Sequence, residues 1–505
     1  MVLPIFKWLR EAVLKYPDKT VFADGIRNLS FRELDSITKS VGSFTAGRMI
    51  PQSPVAVMTG RHVLTPACYI GVARGGCFYA PMDAEMPAAR LNQILSVIDA
   101  SVMIVDEEHK EKAESLDYNG EIVMLDDVLK TEGSDELLEK ASETLTELSP
   151  LYVIFTSGST GAPKGVITSH DSLRCYIEAV SDVLGLDESD VLGSQSPLDY
   201  IAAIRDIYLP IMTGAATFII PKNEFAMPDQ LFGTMNKNKV TTICWSTAGV
   251  ELPAKLGAFK NGRLEYLKRV LFSGSVISSK YLRIWQQNQP DVMFINQYGP
   301  TEATASCTYY VIRDEVMDDT VLPIGIPYRH YGVMLLTDDN KAVPDGETGE
   351  ICVKGPCLAL GYYKNPEKTA ESFIQNPLID SYRELIYKTG DLGRFSEDGL
   401  LQFMGRKDRQ IKHMGHRIEL DEIEGTAMQM DGVADCCSMY LKEKQLLYLF
   451  YVGEASARDI TLYFRSQLPP FMVPRRIRQL DEMPHLANGK KDMQTLKSMM
   501  QQKGV

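Results

Sequence analysis

Apolar residues in this chain fall into short β-rich runs separated by longer charged stretches of helical period. Residues 54–58, 101–105, 151–155, 216–220, 240–244 and 292–295 are such runs, rich in Val, Ile, Phe and Thr. Their alternation with amphipathic segments predicts α/β layering with largely parallel sheets. At the start of the chain Ile5, Leu9 and Val13 recur at helical spacing, between Lys7, Arg10 and Glu11. That pattern predicts an amphipathic surface helix and not a signal peptide. Residues 106–148 are acidic and helix-prone and read as a solvated segment. From about residue 386 to 430 the texture changes to short strands with dense charge, which predicts a smaller α+β unit. Arg406-Lys407-Asp408-Arg409 is the polar cluster between the two textures. The expected organisation is therefore an α/β fold with a large N-terminal domain of stacked mixed and parallel sheets over residues 1–407. A small, mobile α+β domain follows over residues 408–505.

At 505 residues the chain is too long for one core. Its 66 acidic against 53 basic residues give a net charge of −13. That balance argues against nucleic acid or an anionic membrane as partner, so an anionic ligand must be met by local donors. The nine cysteines are scattered without a CxxC pair and read as buried reduced thiols of a cytoplasmic protein, adjacent Cys436 and Cys437 included. No apolar run approaches membrane-spanning length.

Chemistry enters with Thr156-Ser157-Gly158-Ser159-Thr160-Gly161-Ala162-Pro163-Lys164-Gly165, directly after the apolar run 151–155. A strand that feeds a loop of glycines, hydroxyls and one lysine offers backbone N–H groups, O–H donors and a cation to a polyanion. It is not a Walker P-loop, because Pro163 precedes the lysine and Gly165 follows it. A second string, Asn296-Gln297-Tyr298-Gly299-Pro300-Thr301-Glu302, follows the run 292–295. It sets an amide, a ring, a hydroxyl and a carboxylate at a strand end, where α/β proteins bind ligands. The amide suits a purine edge, the ring can stack on it, and Glu302 suits a hard cation such as Mg²⁺. In Tyr387-Lys388-Thr389-Gly390-Asp391 the carboxylate suits a pair of ribose hydroxyls.

These strings, with Gly349-Glu350, Gly361-Tyr362, residues 405–412 and Asn488-Gly489-Lys490, resemble in order the signature motifs of the adenylate-forming superfamily. That superfamily includes nonribosomal peptide synthetase adenylation domains, acyl-CoA synthetases and firefly luciferase. The segments around Leu29 to Leu34, Gly75 to Pro81 and Leu468 to Pro474 resemble the amino-acid-activating branch, and the size and layout are similar to stand-alone D-alanyl carrier protein ligases. The resemblance implies an enzyme that activates a small amino or carboxylic acid with ATP and Mg²⁺, then loads it onto the phosphopantetheine of a separate holo-carrier protein. It implies that Thr156, Ser157, Gly158, Ser159, Thr160 and Lys164 wrap the β- and γ-phosphates. Asn296 would meet adenine, Tyr298 and Gly299 would line its ring, and Thr301 would contact the α-phosphate. Glu302 would ligate Mg²⁺, Asp391 would hold the ribose and Arg406 would support it. Lys490 would be catalytic, Asp408 the hinge, and Lys412 and Gly415 would face the thiol tunnel in the second half-reaction.

Two alternatives stay open: an AMP-forming acyl-CoA ligase for an aryl, fatty or other acid, and a non-catalytic nucleotide-binding protein on the same fold. The joint presence of Thr160, Lys164, Glu302, Asp391 and Lys490 argues against the second. The sequence departs from the family in the substrate region. Counting back from Asp206-Ile207-Tyr208, the position of the aspartate that anchors the substrate amine falls on Ile201, with Asp199 two residues earlier as candidate replacement. Ser275 stands where relatives often carry glutamate, and Arg205 reads as a helix-surface arginine. His413 and His416 lack a third metal ligand. No carrier-domain attachment signature is visible, so the acceptor thiol is expected on a separate partner, or the sequence is excised from a larger synthetase.

Overall fold

The computed structural model describes residues 3–158, 163–260, 262–318, 320–485 and 491–501. Two sheets carry the large N-terminal part. The first has nine strands, with Met293–Tyr298, Arg269–Ser273, Thr242–Ser246, Val191–Ser194, Ala216–Ile219 and Thr20–Ala23 side by side and parallel. Antiparallel strands close both edges: Thr308–Ile312 and Ile326–Pro327 at one, Asn28–Ser30 at the other. The second sheet has seven strands and runs from Gly361–Tyr362 through Lys164–Ser169, Pro150–Thr156, Phe78–Pro81, Pro54–Met58 and Val102–Val105 to Glu121–Met124. Its strands Phe78–Pro81, Pro54–Met58 and Val102–Val105 read as unbroken apolar runs because both faces are buried. Residues 106–148 thus supply an edge strand as well as three short helices, where the sequence predicted a solvated helical stretch. A third, antiparallel sheet contains Gly349–Lys354, Leu385–Phe395 and Leu401–Arg406.

Past Arg406 the chain forms a two-stranded hairpin, Gln410–His413 with His416–Glu419. Met414 and Gly415 turn it with φ of 52° and 87°. A two-residue turn with both φ positive matches the right-handed twist of the strands, which is why glycine stands there. Three helices then pack on a sheet of Val433–Leu441, Leu446–Gly453 and Arg476–Gln479. This part has its own core, in which Ile418, Ile423, Leu449, Ile460 and Phe464 are fully buried. Cys436 belongs to that core and Cys437 to a second cluster on the other face of the strand, so the adjacent pair is packing. All nine cysteines are free and all but Cys175 are buried. The first helix, Pro4–Lys15, buries Ile5, Leu9 and Ala12 and leaves Lys7 and Glu11 in solvent. Among the described residues no helix is long and apolar enough to cross a membrane.

Candidate active site

The candidate residues converge where strand Met293–Tyr298 ends, between the large sheets and the C-terminal hairpin. Asn296 donates from Nδ2 to the Pro323 carbonyl at 2.8 Å. Gly299 has room for no side chain: a Cβ there would lie 2.4 Å from the Cα of Ser306. The next residues form a tight turn, Thr301–Ala303, that directs Glu302 inward. Glu302 is completely buried. Both of its oxygens accept from Arg417 Nη1 at 2.9 Å, and Oε1 accepts from the Tyr362 hydroxyl at 2.7 Å. Burial alone would raise the Glu302 carboxyl, but Arg417 and Lys164 override it and hold it at about 2. The Lys164 ammonium sits 5.1 Å over the Tyr362 ring. Burial and the neighbouring Arg417 lower it to about 8 despite Glu302.

Asp391 forms the second focus. The Tyr298 hydroxyl donates to its Oδ2 at 2.5 Å, and Arg406 pairs with Oδ1. Arg406 also holds Asp408 through Nε at 2.6 Å and Nη2 at 2.8 Å, so the hinge candidate is tied to the ribose candidate through one guanidinium. Glu350 steadies this strand by accepting from the Gly390 N–H at 3.0 Å and from Lys407 Nζ at 3.1 Å. Lys412 reaches over the Tyr298 ring at 5.6 Å, and burial lowers its pKa.

The C-terminal part meets this site through its hairpin. The Ser157 hydroxyl donates to the Arg417 carbonyl at 2.8 Å, and the Tyr200 hydroxyl to the Gly415 carbonyl at 3.0 Å. A Cβ at Gly415 would come within 3.1 Å of Ser246 Cβ, so glycine permits the close approach as well as the turn. Farther along, Arg90 and Glu422 form a buried ion pair at 2.6 Å. Lys491 faces Asp435 at 2.9 Å on the C-terminal sheet. A cleft remains, lined by Thr156, Ser157, Asp199, Tyr200, Thr301 and Arg417 among others.

Thr156, Ser157 and Thr301 therefore share one cleft wall, while Asn296, Tyr298, Glu302 and Asp391 surround the strand end. Ser159, Thr160 and Lys490 lie outside the described residues. Asp199 lines the cleft, and burial, then the neighbouring Asp83, raises its carboxyl to about 7. Ile201 is buried. One expectation fails: Arg205 is not on the helix surface but 1% exposed, with Nη1 2.6 Å from Gln297 Oε1. Its helix, Ala203–Thr213, is buried along most of its length, so a polar letter in an otherwise apolar helix points inward here. His416 stacks on Phe471 at 3.7 Å, and His413 lies edge-on to Tyr440. Sequence reasoning missed Arg417 and Tyr200, and read Arg90 only as a mark of the amino-acid-activating branch. A signal for Arg417 existed: in a two-residue hairpin it pairs across from Lys412, placing two cations on one face.

A large layered α/β body and a small α+β body that meet at a strand-end carboxylate cluster define a two-domain, nucleotide-type enzyme. Residues 9–363 match the model of the AMP-binding enzyme family, and residues 422–490 that of the AMP-binding enzyme C-terminal domain. The chain belongs to the AMP-binding enzyme family. It is 31% identical over 499 residues to surfactin synthase subunit 3 of Bacillus subtilis, covering 96% of this chain and 38% of that protein. It is 28% identical to tyrocidine synthase 1 of Brevibacillus parabrevis, covering 97% and 44%, so the chain spans less than half the length of these two relatives. Zwittermicin A synthase ZmaJ of Bacillus cereus is also 28% identical, with 97% and 94% covered. In fold it is similar to the adenylation domain AlmE of Vibrio cholerae, solved with glycyl-adenosine-5′-phosphate, with a TM-score of 0.85 at 21% identity over 100% and 98% of the two chains.

Proposed function

We propose that this protein is an AMP-forming ligase that activates a small amino or carboxylic acid with ATP, then passes the acyl group to the phosphopantetheine thiol of a carrier protein. The observation that carries this reading is the convergence of Tyr298, Glu302, Asp391 and Arg406 at one strand end with the hairpin of the C-terminal part seated against it. In the first step a substrate carboxylate oxygen bonds to the α-phosphorus, the bond from that phosphorus to the bridging oxygen breaks, and pyrophosphate leaves. Donors that meet the developing oxyanion charge lower this barrier, and their preorganisation is the protein's main contribution. Thr156, Ser157, Gly158, Ser159, Thr160 and Lys164 hold the leaving phosphates, with Thr301 at the α-phosphate. Asn296, Tyr298 and Gly299 seat the base, and Asp391 with Arg406 holds the ribose.

Glu302 is the residue that would hold Mg²⁺: it is buried and ionised, and a carboxylate oxygen suits a hard cation. When bound, the metal supplies positive charge to the phosphate oxygens. Both Glu302 oxygens belong to Arg417 in the present arrangement, so the carboxylate is free for other work only when the hairpin withdraws. We therefore read residues 1–407 and 408–505 as units that alternate about Asp408. The arrangement described here, with Lys412, Gly415 and Arg417 in the site, is the one for the second step. There the thiol sulfur bonds to the acyl carbon, the bond from that carbon to the AMP oxygen breaks, and the thiol proton passes to solvent. In the other arrangement Lys490 would bridge the substrate carboxylate and the α-phosphate.

The test is acid-dependent exchange of labelled pyrophosphate into ATP, run against proteinogenic amino acids, D-alanine, β-amino acids and aryl acids, followed by loading of holo-carrier protein or free CoA. AMP as the nucleotide product and transfer to the carrier are expected. ADP as the product refutes the reading, and CoA as the preferred acceptor replaces the carrier protein with CoA.

A further inference from the structure

A buried polar cluster behind Tyr298 is unused by the nucleotide chemistry above. At its centre is Arg205, in the first turn of helix Ala203–Thr213 and 1% exposed. Its Nη1 donates to Gln297 Oε1 at 2.6 Å and its Nε to the Ala202 carbonyl at 3.3 Å, while buried Nη2 has no partner. Gln297 Oε1 also accepts from the Ser306 hydroxyl at 3.3 Å, and Gln297 Nε2 bonds to the Tyr328 hydroxyl. The Tyr176 hydroxyl is buried and faces Arg205 and Ser306. Among the described residues no carboxylate comes within 4.0 Å of this guanidinium. The adjacent Asp206 is equally buried, with both oxygens unpartnered.

A guanidinium taken out of water without an anion in contact is costly, because two neutral acceptors recover only part of its hydration. The chain keeps this charge against the strand that ends at the site. Gln297 lies between Asn296 and Tyr298 on the strand that ends at the site, and Ser306 follows Glu302 by four residues. Nη1 and Nη2 present two parallel donors, the fork that matches the two oxygens of a carboxylate. Gln297 can release its hold on Nη1, since Ser306 and Tyr328 keep the amide in place.

We infer that Arg205 is the specificity-determining residue for a second carboxylate on the acid that is activated, so that the substrate class is small diacids and amino acids with an acidic side chain. This rests on the acid-activating reading of the site. Apolar amino acids would leave the guanidinium buried and unpaired.

The full chain is tested with pairs that differ by carboxylate against amide: aspartate and asparagine, glutamate and glutamine, succinate and succinamate. Two readouts are taken: pyrophosphate exchange, and calorimetric binding of each acid alone. The carboxylate member of at least one pair should be favoured by about 10²-fold, the size of a charged hydrogen bond to a buried partner. Arg205→Met should erase that preference and leave ATP affinity intact. Gln297→Glu, which supplies an internal anion and keeps the arginine, should also erase it, so a folding defect in the first variant does not decide the matter. Preference for the amide member or for apolar acids in every pair overturns the inference, as does charge selectivity that survives both substitutions. If no acid yields AMP the ligase reading falls by itself. Calorimetry then decides the pocket: carboxylate-selective binding lost in Arg205→Met upholds it, and its absence overturns it.

Discussion

Replacing Arg417 by methionine is the perturbation that most directly tests how the two parts of the molecule cooperate. Glu302 is fully buried and takes two of its three hydrogen bonds from this guanidinium, both at 2.9 Å. The fall of its carboxyl from the ordinary 4.5 to about 2 corresponds to roughly 3 kcal/mol in favour of the ionised form. That net shift also carries Lys164 and Tyr362, so the share of Arg417 is taken from the roughly 3–5 kcal/mol typical of removing one partner from a buried pair. Arg417 lies on the hairpin and Glu302 on the large domain, so the energy favours the docked arrangement over the undocked one. A loss of about 3 kcal/mol shifts that equilibrium by on the order of 10²-fold. Arg417→Met should therefore slow acyl transfer from preformed adenylate to the thiol by about 10²-fold and leave single-turnover pyrophosphate release within a few-fold of wild type. Quenched-flow measurement of the two half-reactions separates them. Equal loss in both steps, or unimpaired transfer, would refute the role of Arg417 as a clasp of the docked state.

Three further predictions use other residues. Lys490→Ala should lose adenylate formation by on the order of 10²- to 10³-fold while equilibrium dialysis shows normal ATP binding; near-normal pyrophosphate exchange in that variant would count against the lysine. Asp408→Pro should spare adenylation and suppress thioester formation, because a fixed φ stops the rotation. Asp408→Ala, which loses the contacts to Arg406 and to the Gln410 N–H but leaves φ free, should retain both steps, and comparable transfer defects in the two variants would remove the hinge. Asp199 carries a carboxyl raised by burial to about 7, so its neutral form is favoured and the folded state is penalised increasingly as pH climbs from 3.8 toward 7. Asp199→Asn should therefore raise the melting temperature at pH 8 and change it little near pH 4; scanning calorimetry that shows the reverse order would refute the assignment.

How much of this was legible in residue order follows from which interactions are local. The α/β layering, the family and the Tyr298-to-Glu302 string were readable, because each rests on contiguous segments whose conformation follows from neighbouring residues. Gly415 is similar: a two-residue turn with positive φ is a local demand. What surrounds Glu302 was not readable. Its partner Arg417 is 115 positions away, and Arg90 and Glu422 are separated by 332. Their pairing depends on how one domain is rotated on the other.

Arg205 shows the same division inside a single helix. Its sequence context allows a solvated arginine, and only the enclosure of Ala203–Thr213 on nearly every side turns it into a buried charge. Segment order thus determined the fold class, the family and the identity of the carboxylates. Tertiary packing alone decided which cations those carboxylates meet and which are left without one, since a charge acquires its partner and its dielectric surroundings from groups that are distant in sequence and adjacent only in space.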